Sequence, residues 1–235
     1  MTFNSAQEKY DYVNDMFTRI AHRYDLMNRV MTAGQDVRWR RLVIKAANLP
    51  EQGGRLLDIA TGTGDIAFEA FRQSPNLDQV VGADFTLPMM QVGQGRANGS
   101  RVRWSGADAL HLPFPDNSFD AVTSGYLLRN VVDVAQALRE QCRVCRPGGR
   151  VVVLEIPRPA NTPFGLLFRL YFHHVIPFLG GIISGQKDAY AYLPASADAF
   201  LRPEALKRLM EQVGFKNVTY QMLMLNTVAI HVGEK

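Results

Sequence analysis

The sequence predicts a doubly wound α/β fold, a parallel sheet with helices on both faces, on three observations. Between residues 55 and 155, short apolar runs rich in Val, Ile and Leu alternate with amphipathic segments. A glycine-bearing turn, Thr61-Gly62-Thr63-Gly64-Asp65, follows the first of these runs, and an acid, Asp84, closes the second. No repeat, low-complexity tract or linker divides the 235 residues, and a 47% hydrophobic content supports one sizeable core. The expectation is a single domain over residues 1–235. Residues 1–50 would form a helical lid, 51–156 the cofactor-binding core, 157–200 a lid insertion, and 201–235 a C-terminal helix with edge strands.

The elements follow from periodicity and punctuation. Residues 10–48 read as helices, closed by Pro50 and Gly53-Gly54. Strands are expected at 55–59, 79–84, 102–105, 119–123 and 150–155, with helices at 66–71, 87–96 and 132–144 between them. Strand–helix–strand units of this length join parallel strands by right-handed crossovers. Pro203 opens a helix carrying Leu206, Leu209, Met210 and Val213, and Gly214 ends it. Two runs, 217–225 and 227–232, come last, and their connection is too short for a crossover, so an antiparallel hairpin at one edge is expected.

Composition excludes several classes. The net charge is +4, but Lys and Arg are scattered among Asp and Glu without a basic tail, so no nucleic-acid partner is expected. Residues 1–9 lack a basic region followed by an apolar run, which predicts no secretory leader and a cytoplasmic chain. The most apolar stretch, 166–183, is interrupted by Arg169, His173, His174, Pro177 and Gly180-Gly181, which speaks against a bilayer span and leaves peripheral contact with a membrane open. Cys142 and Cys145 are the only cysteines. With Val134 and Leu138 they fall at helical spacing on one apolar face, so buried thiols are expected, and no metal site, since zinc would want two further ligands.

The turn itself points to a nucleotide-like ligand. Glycine at Gly62 and Gly64 lets backbone approach such a ligand closely. Asp84, about 20 residues further on, stands where an acid accepts hydrogen bonds from ribose hydroxyls. Charge then separates two ligands. Asp58 at the end of the first strand and Asp65 in the turn would repel a pyrophosphate. S-adenosylmethionine carries an ammonium and a sulfonium and no phosphate, so carboxylates beside the turn favour it over a nicotinamide dinucleotide. Asp108, after the next strand, is a third candidate, for the adenine end, with a plain turn role as its alternative. Asp65 has helix capping as its alternative, and Asp120 at the start of its strand reads as structural.

After the fourth strand the chain reads Ser124-Gly125-Tyr126-Leu127-Leu128-Arg129-Asn130, in place of the Asn/Asp-Pro-Pro-aromatic run common in methyltransferases of base amino groups. Several segments resemble the ubiquinone/menaquinone biosynthesis C-methyltransferases, the UbiE family. They include Phe17 through Asn28 (with Tyr24-Asp25 and Met27-Asn28), Trp39-Arg40-Arg41, Leu57 through Asp65, and Leu112 through Asp120. Leu128-Arg129-Asn130-Val131, Arg143 through Arg150 and Tyr190 through Ser196 complete the likeness, which covers nearly the whole chain.

The resemblance implies a Rossmann-like class I S-adenosylmethionine-dependent methyltransferase. It further implies C-methylation of demethylmenaquinol or of a polyprenyl-methoxy-benzoquinol, so a polyprenyl quinol is the expected partner, with a homodimer left open. Carried over by position, cofactor contacts fall at Thr63, Asp84, Asp108 and Ala109. Gly125 occupies a position where the family has serine, Leu127 stands where Gly is usual, and Asn226-Thr227 replaces a usual Gly pair. The chemistry needs alignment and stabilisation of a phenolate. Arg129 is the candidate for holding the developing oxyanion and polarising a water, with Tyr24 and Asn130 orienting the quinol. The competing readings are an ion pair of Arg129 with an acid such as Asp133, and a packing role for Tyr24. The apolar residues from Phe164 to Phe178 suit a prenyl-tail groove or a membrane-facing lid, with core packing as the alternative. His173 and His174, neighbours on a helix, point about 100 degrees apart and cannot serve one site together.

Overall fold

The computed structural model describes residue 3, residues 5–160 and residues 162–235. Of the residues read for a leader, Met1, Thr2 and Asn4 lie outside the described residues. Three helices come first, α1 (Ala6–Ile20), α2 (Tyr24–Met31) and α3 (Gln35–Ala47). The alternating core follows as β1 (Gly54–Ile59), α4 (Asp65–Gln73), β2 (Leu77–Asp84), α5 (Leu87–Gln94), β3 (Arg103–Gly106), β4 (Phe119–Gly125), α6 (Val134–Val144) and β5 (Cys145–Glu155). Then come α7 (Pro163–Leu170), α8 (Ile176–Ser184), α9 (Lys187–Ala199), α10 (Pro203–Gln212), β6 (Lys216–Leu223) and β7 (Val228–Glu234). The seven strands form one sheet in the order β3-β2-β1-β4-β5-β7-β6, parallel from β3 to β5. β7 pairs antiparallel with both β5 and β6, the edge hairpin predicted from its short connection.

Successive strand residues face opposite sides, and both sides are buried. Leu57, Val81, Val122 and Val151 pack with Leu138, Leu206 and Met210 on one face. Leu56, Val80, Ala121 and Val152 pack with Trp39, Val43 and Phe68 on the other. A third cluster joins the N-terminal helices to the insertion: Val13, Met16 and Met27 meet Phe172, Ile176 and Tyr190. Phe85 and Ile156, just past the ends of β2 and β5, touch this cluster, so it roofs the carboxyl end of the sheet.

Two expectations are corrected. The apolar stretch is not interrupted: α7, a π-helical turn (Tyr171–Val175) and α8 run on as one helix, 164–184, long and apolar enough by length and composition to cross a bilayer. Its polar residues do not break it because they are used sideways. Arg169 and His173 both reach Asp198 on α9, at 3.5 and 2.8 Å, and Gly180 lies so close to Tyr190 that a Cβ would meet the ring at 2.2 Å. Cys142 and Cys145 are free thiols packed in the core, but they do not share a helix face, since α6 ends at Val144 and Cys145 opens β5. Burial pushes the Cys145 thiol up to about 12, which keeps it protonated and unreactive.

Candidate active site

The strand order reverses between β1 and β4, and such a switch point opens a crevice at the carboxyl ends of the strands. A cleft of about 400 Å³ lies there, with Gly62, Asp84, Gly125 and Tyr126 in its walls. The backbone turns sharply into it: Ala60 and Tyr126, just past β1 and β4, adopt φ of 53° and 59°, and Gly62 adopts 57°. Asp84 accepts the Gly62 and Thr86 backbone N–H groups, both at 2.8 Å. The acid thereby fixes the turn while facing the cleft. Burial pushes its carboxyl up to about 6 against the pull of those backbone donors.

The other residues of the predicted cofactor set surround this cleft without lining it. Asp58 is buried, and its two oxygens accept the Thr61 hydroxyl at 2.7 Å and the Thr123 hydroxyl at 2.8 Å, which ties the start of the turn to β4. Burial pushes Asp58 up to about 7. The Thr63 hydroxyl donates to Asp25 of α2 at 2.7 Å, and Gly64 forms the N-cap of α4. Asp65 does not cap α4. It sits between Arg40 at 2.8 Å and Arg96 at 2.7 Å, and although burial opposes ionisation these two guanidinium groups hold its carboxyl below the ordinary range. Asp108 accepts the Leu110 N–H at 2.9 Å in a turn beyond β3, and Ala109 is buried in the core. Asp120 accepts the Arg55 N–H at 2.7 Å and pairs with Arg146, a structural use.

Of the charged network around Asp65, only the i,i+4 spacing of Asp36 and Arg40 on α3 is a local sequence signal. Asp36 pairs with Arg29 and with Arg40, the latter at 2.5 Å, and Arg96 also reaches Asp25 at 3.1 Å. It fastens α2 and α3 to the glycine turn.

A second, larger cavity of about 850 Å³ lies under the roof of helices, with Trp39, Phe172, Tyr190 and Tyr192 among the aromatic residues of its largely apolar walls. Four residues, Phe17, Tyr24, Tyr126 and Asn130, line both this cavity and the cleft. Of these two spaces, Arg129 lines the larger cavity and not the cleft. Its partner is Glu155, the last residue of β5, at 2.5 Å, and Asp133 instead caps α6 by accepting the Gln136 N–H at 2.9 Å. The Arg129 Nε, the Asn130 Oδ1 and the Tyr192 hydroxyl are buried and find no hydrogen-bond partner among the described residues. Burial pushes the Tyr24 phenol up, against Asn28 and Arg129, so it stays protonated at neutral pH.

A sequence profile described as the ubiE/COQ5 methyltransferase family matches residues 4–235. The chain belongs to the ubiE/COQ5 methyltransferase family. A demethylmenaquinone methyltransferase of Thermus thermophilus is 50% identical over 222 residues, which are 94% of this chain and 100% of that protein. A ubiquinone/menaquinone biosynthesis C-methyltransferase of Desulfotalea psychrophila is 47% identical over 223 residues, 95% of this chain and 90% of its own. Solved structures share the fold. An S-adenosylmethionine-dependent methyltransferase of Thermotoga maritima superposes with TM-score 0.67 at 19% identity, covering 94% of this chain and 98% of its own.

This ubiE/COQ5 family member is an S-adenosylmethionine-dependent methyltransferase, and its cleft fits that cofactor. Asp84 is the sole charged side chain among the residues lining the cleft, so no Lys or Arg invites a pyrophosphate. A left-handed Gly62 leaves only the Met89 methyl, at 3.2 Å, where a Cβ would point. Asp84 would hold the ribose hydroxyls, and the apolar Phe85, Met89 and Leu127 would flank the uncharged base.

Proposed function

We propose that this chain methylates a ring carbon of demethylmenaquinol, or of a polyprenyl-methoxy-benzoquinol, with S-adenosylmethionine as donor. The observation that carries the reading is the wall common to the two cavities, Phe17, Tyr24, Tyr126 and Asn130. A donor in the cleft and an aromatic ring in the larger cavity would face each other across those residues, the arrangement that alignment for in-line transfer demands. The names of the similar proteins and the aromatic lining of the larger cavity support a quinol as the acceptor.

The bound cofactor supplies an electrophilic methyl group on a sulfonium. The protein's part is to hold a quinol with one hydroxyl ionised, because the carbon ortho to a phenolate is the nucleophile. Arg129 offers its unpartnered Nε to that oxygen, and Glu155 keeps the guanidinium in place. The protonated Tyr24 and the Asn130 amide orient the ring. The hydroxyl proton would pass to water before transfer, and the methylated ring carbon would afterwards release its own proton to water, which restores aromaticity. Asp58, Thr63, Gly64 and Asp65 act through the shape of the turn, with Asp108 and Ala109 supporting the adenine end. The exposed Leu166, Leu167, Leu170, Phe178 and Ile182 of the long helix give a surface for peripheral contact with a membrane, where a lipid quinol resides.

Mass-spectrometric profiling of quinones in cells lacking this protein tests the reading. Accumulation of a ring-demethylated quinone is expected, and an unchanged profile would overturn it.

A further inference from the structure

The aromatic cavity meets a second space at its outer end. Phe168 and Thr227 line both it and a surface groove of about 590 Å³, whose other walls include Ala160, Phe164, Leu225 and Asn226. None of the described residues lining the groove carries a charge. The turn between β6 and β7 divides the two spaces, with Met224 on the cavity side and Leu225 on the groove side. That turn is strained. Met224, Leu225 and Asn226 adopt φ of 46°, 54° and 68°, a left-handed conformation that side-chain-bearing residues visit singly rather than in runs. Thr227 pins it by donating its hydroxyl to the Met224 carbonyl at 2.8 Å. Strain held at the junction of two cavities is a mark of a functional segment.

We propose that this groove is the exit portal for the isoprenoid tail of the acceptor. The ring occupies the aromatic cavity, and the tail passes between Phe168 and Thr227 and leaves along Phe164 and Leu225. A hydrocarbon chain taking this route meets no charged side chain. It emerges beside Leu166, Leu167 and Leu170, all more than half exposed at 57%, 62% and 59%, so its free end passes from protein to lipid without crossing water. The inference rests on the quinol reading and adds where the tail leaves the protein.

Ala160→Trp fills the groove at an exposed position that lines neither the aromatic cavity nor the cleft. The variant and the wild type are compared on a quinol with an isoprenoid tail and on naphthohydroquinone without one. The expected result is a KM about tenfold higher or more for the tailed acceptor, with the tail-less acceptor unaffected. Equal kinetics on both acceptors, or an equal loss on both, would overturn the portal. A second measurement needs no variant: a tailed quinol bearing a photoreactive diazirine near the ring end of its tail is crosslinked to the wild type. Labels within residues 159–168 or 223–228 support the portal, and labels confined to other segments refute it. Failure of the quinol reading itself would show in the wild type, as no methylation of either acceptor, and would take the portal down with it.

Discussion

Arg129 Nη1 lies 2.5 Å from Glu155 Oε1, and the other carboxylate oxygen accepts the Arg129 backbone N–H at 3.3 Å. Both side chains are almost wholly buried. Arg129→Ala therefore strands a buried carboxylate, and a loss of about 3–5 kcal/mol of stability is expected along with lost turnover. The double variant Arg129→Gln, Glu155→Gln removes both charges together. It should recover most of the lost melting temperature, keep cofactor affinity near that of the wild type and remain slow. Turnover restored in the double variant would refute the oxyanion role.

Asp84 is expected to set the pH range for cofactor binding. Burial raises its carboxyl to about 6, and ribose hydroxyls donate best to the ionised form. S-adenosylmethionine should bind more weakly as pH falls through 6, and calorimetric titration at pH values on either side of 6 measures this. Asp84→Asn should weaken binding by about tenfold or more and flatten the pH dependence. A steep dependence that survives in the variant would assign the titration to another group.

Asp58 gives a stability signature of defined sign. Its folded value of about 7 lies above the ordinary 3.8, so the native state retains a proton that the unfolded chain releases. The contribution is fully present below the ordinary value and is lost as pH rises through the folded one. Asp58→Asn keeps a neutral side chain between Thr61 and Thr123. Its stability relative to the wild type should therefore improve steadily from about pH 4 to pH 7. Denaturant unfolding across that range provides the check, and a constant difference would contradict the assignment.

Asp65 is the hub that fastens the N-terminal helices. Asp65→Asn leaves Arg40 and Arg96 without their shared partner, and Arg40 is nearly buried. A loss of about 3 kcal/mol is expected, with faster amide hydrogen exchange concentrated in α2 and α3. Exchange that rises evenly across the sheet instead would show that the network stabilises the whole fold and does not specifically hold the roof.

The core was legible because its signals are local. Strands 79–84 and 150–155 are continuous apolar runs, as a sheet buried on both faces requires, and the Gly62 turn with Asp84 lies within one strand–helix–strand unit. The long-range ion pairs were not legible. Glu155 lies 26 residues from Arg129, and Asp25 lies 71 residues from Arg96, separations at which no periodicity links partners. Asp133, the nearer acid, was the natural candidate from sequence, but its place before α6 commits it to the Gln136 N–H. The helix over 164–184 was misread because Pro177 and the glycines look like breakers. Pro177 stands in the first turn of α8, and Gly180 is where α8 comes close to Tyr190.

Glu155 stands at the end of β5, and the pairing of that strand fixes its position. β5 is clamped on both sides, with Leu154 opposite Gly125 of β4 and opposite Ile230 of β7, and Glu155 opposite Ala229. A slip of one residue would turn Glu155 to the other face. The counterion of Arg129 is thus measured off along the central sheet like a mark on a ruler. The pairing of β5 with β7 therefore fixes where the partner of Arg129 stands. The partner of Arg129 thus belongs to the sheet, whereas Phe17 and Tyr24 of the shared wall belong to the helices of the roof.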